Sequence, residues 1–404
     1  MANNSNKNKC NVPHLRFPEF TGEWKNTSLG EIGKTFNGLT GKSSADFGQG
    51  FPYITYKSIF DDSKIDISRV EYVEITDVER KKKTQNEVQY GDVFFTTSSE
   101  TPDEVGMSSV LLDKIKDCYL NSFCFGYRLN SLSETIPEYM RFYLRSQTIR
   151  KKMFVLAQGS TRFNISKSEV MGMSINIPEI EEQRKIANLL TLLDDRIATQ
   201  NKIIEDLKKL KSAIIEKLYS DIKGREYSYR QIFEIVNERN KQLEYLNILS
   251  ASQEKGMVNR EDLNLDIQFE RSNINTYKIV KEGDYVIHLR SFQGGFAFSD
   301  KHGVCSPAYT ILRPNDLLEF RYLSYYFTSQ RFIKSLIVVT YGIRDGRSIN
   351  VEEWLDMKTI IPSKERQHHI VETIRNIENK IENEEKYASC LSNQKQYLLH
   401  HLFI

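Results

Sequence analysis

Few stretches of this 404-residue sequence bring together residue types that could do covalent chemistry. Glu79-Arg80-Lys81 and Glu384-Glu385-Lys386 spell the short Glu-x-Lys part of a nuclease motif, but neither has a convincing acidic partner, and the second lies in a helical pattern. His368-His369 and His400-His401 are adjacent pairs on helical stretches. Neighbours on a helix point two ways, so neither pair can chelate a metal as an i, i+4 pair would. No Pro-Pro pair is present to build the Asn/Asp-Pro-Pro-aromatic segment that holds a flipped base. The Gly-rich FxGxG of S-adenosylmethionine sites and the GxxxxGK[ST] of ATP sites are missing too. Five scattered cysteines (Cys10, Cys118, Cys124, Cys305, Cys390) fit neither a disulfide framework nor a zinc site, so reduced thiols in a cytoplasmic setting are expected. The expectation is a chain without catalytic or metal-ligating residues.

What remains is binding chemistry. Reading a duplex needs side chains on loops that reach base edges, with cations and small polar groups for phosphates. In the first half the candidates are Lys57 and Ser58 beside Tyr56 in the turn YKSIF; Lys81, Lys82 and Lys83 after Arg80; Thr97, Ser98 and Ser99 at a polar strand end; and Arg162 with Asn164. In the second half they are Ser252, Gln253 and Lys255 beside Ser250; His288, Arg290, Ser291 and Gln293; and Arg344 with Arg347. Arg290 and Gln293 have the chemistry of bidentate readers of guanine and adenine. Solvated loop positions are the plain alternative for each, above all for the lysine run.

The elements that must carry these residues are written twice. Ile177–Leu190 reads IPEIEEQRKIANLL and Ile361–Ile374 reads IPSKERQHHIVETI, a shift of 184. Upstream, EYMRFYLRSQ at Glu138 resembles RYLSYYFTSQ at Arg321 (shift 183), and YGDVFF at Tyr90 resembles EGDYVI at Glu282 (shift 192). WKNTSLGEI at Trp24 lines up with YSYRQIFEI at Tyr227 through Leu29, Glu31 and Ile32 on Ile232, Glu234 and Ile235, a shift of 203. Self-similarity on this scale means a duplicated structural unit. The drifting shifts place the losses in globular parts, and the constant final shift marks a helical part. The expected order is a disordered tail at 1–19, a head at 20–178, a helix at 179–220, a second head at 221–362 and a second helix at 363–404. With 39% apolar and 27% charged residues, 21 Tyr and 22 Phe, two cores are affordable, and no apolar run is long enough for a membrane span. The polar N-terminus shows no secretory h-region.

The heads read as mixed α/β. Strands are expected at Phe51–Tyr56, Asp92–Thr97, Tyr285–Leu289 and Tyr309–Leu312, and helices at Pro137–Phe154 and Glu319–Val338. In the long helices, alternating steps of four and three pick out Ile186, Leu190, Leu193, Ile197, Gln200, Ile204 and Leu207, then Lys211, Ile214 and Leu218. The same rule picks out Ile370, Ile374, Ile377, Ile381, Glu384 and Ala388, then Leu391, Lys395, Leu398 and Leu402. The polar interruptions fall at the same steps in both copies. That is a coiled-coil seam. Helix one must carry the chain away from head one, and helix two must return, so the pair is expected antiparallel with a pseudo-two-fold relation between its heads.

Two-fold readers of DNA place equivalent elements on half-sites. A single chain with two diverged heads suits a bipartite, asymmetric site. The residues LRFPEFTGEWKNTSLGEI, GDVFFT and AQGSTRFNISKSEVMGMSINIPEIEEQRKIANLLTLLDDRI resemble the specificity subunits of type I restriction–modification systems over nearly the whole chain. The second copy departs in part, with Ser363–Glu365 replacing the acidic run and His368–His369 replacing Arg184–Lys185. The resemblance implies two target-recognition domains on double-stranded DNA and a non-catalytic chain, whose helices dock two methyltransferase subunits and support restriction subunits. S-adenosylmethionine, ATP and magnesium would then belong to those partners. The rival readings are a coiled-coil scaffold whose heads bind protein, and a methyltransferase- or nuclease-linked enzyme chain, against which the missing motifs speak.

Overall fold

The computed structural model describes residues 11–82, 84–252, 255–263, 271–288, 295–341 and 348–404. It divides into two compact units: residues up to Gln200 with Tyr387–Ile404, and Asn201–Lys386. Each unit holds one α+β head together with part of both long helices, Ile180–Ser220 and Lys364–His401. Among the described residues, no helix is long and apolar enough to cross a membrane.

Head one is built on a four-stranded antiparallel sheet in the order Gly33–Asn37, Cys124–Leu129, Val93–Thr96, Ser108–Val110. Val93, Phe94, Phe95 and Thr96 are all buried, because both faces of this strand are covered and β-branched and aromatic side chains fill such positions. Head two repeats the sheet as Phe233–Val236, Thr310–Pro314, Tyr285–Ile287, Phe296–Phe298. A two-stranded ladder closes each head where its long helix begins. In head one it pairs Lys25–Ser28 with Ser174–Ile177, and in head two Arg225–Ser228 with Lys358–Ile361.

These ladders correct the first alignment of the repeat. Ser28 sits opposite Ser174 and Ser228 opposite Lys358, so Ser28 corresponds to Ser228 and the shift there is 200, not 203. Both serines open capping boxes, with Glu31 and Gln231 at the fourth position, and both boxes start one-turn helices, Leu29–Ile32 and Tyr229–Ile232. Matching Glu31 to Glu234 by letter had misplaced the register by three residues.

Two expected helices are each broken. The first becomes Pro137–Tyr143 and Gln147–Leu156, the second Tyr322–Tyr326 and Gln330–Ser335. Ser146 and Ser329, equivalent under the shift of 183, stand in extended conformation and cap the second piece. Their Oγ atoms accept from Ile149 N at 3.4 Å and Phe332 N at 3.1 Å. Residues 11–19, expected within a disordered tail, are anchored. Arg16 makes two hydrogen bonds of 2.8 and 2.7 Å to the buried Glu182 carboxylate, Trp24 N donates to Asn11 O, Leu15 N donates to His401 O, and Phe17 packs on the core.

Every predicted seam residue of the long helices is buried or half-buried. Within the first unit Lys395 pairs with Asp194 at 2.5 Å, and within the second Lys211 pairs with Glu378 at 3.1 Å and Lys208 with Glu385 at 2.6 Å. In each unit a residue further along one helix meets one earlier on the other, so the helices run antiparallel. Asp194 and Glu378 are themselves equivalent under the shift of 184. The seam's lysines therefore meet a carboxylate across the helix pair in both units, and each carboxylate is also held from its own head, Asp194 by Arg141 at 2.6 Å and Glu378 by Tyr325 Oη at 2.7 Å.

Candidate nucleic-acid interface

On head one the exposed polar loops are tied to a common frame. Thr55 caps the helix Tyr56–Asp61, its Oγ1 accepting from Ser58 N at 3.1 Å, so the stretch read as a turn is helical. Tyr56 Oη donates to Ser98 O at 2.7 Å. Ser98 and Ser99 pair with Asn164 and Phe163, and Gln158 and Asn164 exchange backbone hydrogen bonds of 2.9 and 2.8 Å that close the loop between them. Gly159 makes that closure possible: its φ is +134°, and a Cβ there would lie 2.1 Å from Arg162 O. On its other side Thr97 donates from both N and Oγ1 to Phe123 O, at 3.2 and 2.8 Å. Four segments, 56–61, 97–99, 121–124 and 158–164, thus share one hydrogen-bonded network.

The network sorts the expected contact residues. Ser58, Ser98 and Ser99 are buried, Thr97 is half-buried, and Ser99 Oγ donates to Glu104 at 3.2 Å. The hydroxyls of Ser58, Thr97 and Ser99 are engaged within the frame, and Ser98 is held in it through its backbone. Lys57, Arg162 and Asn164 are exposed, and among the described residues Lys57 and Arg162 form no ion pair. Burial raises the Tyr56 phenol above its ordinary range; the Cys124 thiol adds to this, while Thr96 and Arg162 oppose it. The positive charge of Arg162 is therefore felt at the base of this network.

Lys81 is exposed on the helix Asp77–Lys82. Its neighbours are committed elsewhere: Arg80 pairs with Asp117 at 2.6 Å and lies 4.5 Å from the Phe51 ring centre. The Glu79 carboxyl is held down to about 2, first by Lys42 at 2.8 Å and then by Thr76 N. The Glu-x-Lys fragment is thus locked into a local ion pair and cap. On head two, Ser250 and Ser252 lie on the hairpin Leu249–Ser252/Gly256–Asn259. Ser250 Oγ accepts from Arg260 at 3.0 Å, Ser252 Oγ accepts from Lys255 N at 3.3 Å, and Lys255 is exposed. His288 N donates to Gly295 O at 2.8 Å, and its ring lies 6.1 Å from Tyr309. Lys83, Gln253, Arg290, Ser291, Gln293, Arg344 and Arg347, and the side chain of Lys82, lie outside the described residues.

A family model described as a type I restriction modification DNA specificity domain matches residues 21–209 and again 225–389. The chain belongs to this family. A putative type I restriction enzyme specificity subunit, MjaX of Methanocaldococcus jannaschii, is 25% identical over 416 residues, spanning 96% of this chain and 95% of the relative. The S subunit of a type I restriction–modification system from M. genitalium shares the fold at 14% identity and TM-score 0.54, over 97% of this chain and 99% of that one. A chain from a structure concerned with complex assembly and conformational transition of the type I system does so at 17% identity and TM-score 0.58, over 96% of this chain and 98% of that one.

This specificity fold rests on residues that sequence reasoning passed over. Gln183 and Gln367 are buried at the starts of the long helices. Their Oε1 atoms accept from Ile136 N at 3.0 Å and Glu319 N at 2.8 Å. Gln183 Nε2 donates to Glu134 O and Pro178 O, each at 2.9 Å, and Gln367 Nε2 to Leu317 O at 2.9 Å and Pro362 O at 3.0 Å. Three equivalent backbone atoms are thus clamped in each head. Asp92 and Asp284 are buried in the turns before their central strands, gripped by Arg128 (2.7 Å twice) and Arg313 (2.9 and 2.8 Å). The available signal was the invariance of Gln and Gly-Asp between the two copies.

Proposed function

We propose that this chain is the DNA-reading subunit of a type I restriction–modification complex and is not itself catalytic. Its two heads read the halves of a bipartite, asymmetric duplex site. Its long helices dock two methyltransferase subunits and support restriction subunits, with S-adenosylmethionine, ATP and magnesium handled by those partners. The observation that carries the reading is a frame built twice with different polar loops on each copy: the clamps, the buried Asp–Arg pairs and the capping boxes repeat, whereas Arg162 and Asn164 sit on one head and Lys255 and Ser252 on the other. A common frame with variable loops suits two half-sites of different sequence.

Genome-wide mapping of methylated bases with and without this gene tests the proposal. Loss of one bipartite motif is the expected result, and an unchanged methylome would overturn it. Duplex binding by the chain assembled with its methyltransferase partner should also weaken steeply as salt rises, because phosphate contacts release counterions. Salt-independent binding would favour the scaffold reading.

A further inference from the structure

Matching turns precede a sheet strand in each head. In head one, Asn121 O accepts from Cys124 N at 3.1 Å and Asn121 Oδ1 accepts from Phe123 N at 2.8 Å. In head two, Ser306 O accepts from Tyr309 N at 3.1 Å and Ser306 Oγ accepts from Ala308 N at 3.3 Å. Each turn leads into the strand whose arginine, Arg128 or Arg313, closes on the buried aspartate, so Phe123 corresponds to Ala308. The backbone device is conserved between the copies, and the side chain it presents is not. Phe123 is 63% exposed.

This exposed ring stands on a rigid base. Thr97 fixes Phe123 O with two hydrogen bonds, and Gly38 backs the turn so closely that a Cβ there would lie 2.1 Å from Asn121 O. The groups that hold it, Thr97, Asn121 and Gly38, are polar or lack a side chain. A protein-binding site of ordinary kind would cluster apolar residues around such a ring. Here the same network carries Arg162 and Asn164, both exposed, and exposed Lys57 is the second residue of the helix joined to it through Tyr56. An exposed aromatic ring on a network that also carries exposed cations and small polar groups has the chemistry that stacks on bases or wedges between them while cations hold the phosphates.

We propose that Phe123 inserts against the bases of the half-site met by head one, and that head two meets the corresponding step of its half-site with Ala308 and no ring. The inference rests on the DNA-reading function proposed above. It makes the two half-sites unequal in mechanism as well as in sequence, with base unstacking confined to one side.

The test uses the chain assembled with its methyltransferase subunits and the duplex named by methylome mapping, with 2-aminopurine placed in either half. Phe123→Ala should weaken binding about 10- to 100-fold, whereas Phe123→Trp should stay within a few-fold of wild type. Because no charge is removed, the salt slope should not change for Phe123→Ala, whereas Arg162→Ala should lower it by about one. Fluorescence should rise on binding from probes in one half only, and Phe123→Ala should abolish that rise. Wild-type affinity for Phe123→Ala beside weakened Arg162→Ala overturns the insertion and leaves DNA reading intact. Wild-type affinity for both overturns the DNA-reading site on this head. A Phe123→Ala variant of unchanged melting temperature that no longer assembles with its partners would show a protein-docking residue instead, and also overturns the proposal.

Discussion

At the scale of single residues, the buried ionic pairs are where one atom matters most. Asp92 is fully buried, and Arg128 supplies both of its long-range hydrogen bonds. Arg128→Ala would strand a carboxylate without its cation, which in buried pairs costs on the order of 3–5 kcal/mol, less here because the guanidinium is partly exposed. Asp92→Asn keeps the shape and gives up the charge, so denaturant unfolding should rank Arg128→Ala below Asp92→Asn, and the reverse order would show the pair to be replaceable. Thiols give a second reading of the cores. Cys118 and Cys305 are buried, and burial pushes both up to about 12, against about 8.5 for an unfolded cysteine. A pKa raised by folding means stability that is whole below about pH 8.5 and lost as pH climbs toward the folded value. In the isolated native chain a thiol reagent should therefore modify exposed Cys390 quickly and Cys118, Cys124 and Cys305 only as fast as the heads open. Rapid modification of all of them would contradict closed cores.

Elements are decided by the groups that start and stop them. Gln183→Ala leaves the Ile136 N–H and two carbonyls without a partner at a buried joint, and Gln367→Ala does the same at Glu319. Each should cost about 1–3 kcal/mol for the orphaned groups. Gln183→Glu should do no better, because a carboxylate can accept from Ile136 but cannot donate to Glu134 O and Pro178 O; a stable glutamate variant would refute the clamp. The long helices were legible in the sequence because their seam repeats for ten steps and needs no partner to be seen. So were the central strands, whose residues suit burial on both faces. The breaks at Ser146 and Ser329 were not, since a capping serine leaves hydrophobic periodicity running straight through it. Residues 11–19 were read as tail because their anchor, Arg16 to Glu182, spans 166 positions. For the candidate interface, residue type singled out Arg162 and Asn164, which are exposed, but only the fold told the exposed Lys57 from the buried Ser58 beside it. Phe123 went unnoticed because an exposed phenylalanine is read from sequence as core.

On the scale of the whole molecule, each unit is completed by residues distant in the chain. In the first, Ile186 and Leu190 from the start of one helix join Leu402 and Phe403 from the end of the other in a single core. In the second, Ile370 and Ile374 join Ile215 and Tyr219 in the same way. Phe403 lies 5.8 and 5.7 Å from Tyr139 and Tyr143, and Tyr219 lies 5.4 and 5.3 Å from Tyr322 and Tyr326. Under the repeat these are one aromatic triad built twice, and in each unit its third ring comes from the far end of a helix that began in the other unit. Folding of a head therefore depends on a helix end supplied from elsewhere in the chain. Truncating a buried aromatic costs about 3–5 kcal/mol, enough to open one head well before the other. Phe403→Ala should accelerate amide exchange in Pro137–Leu156 and leave Tyr322–Ser335 protected, and Tyr219→Ala should do the opposite. If either variant loosened both regions equally, the two cores would not be the separate cooperative units that this packing requires.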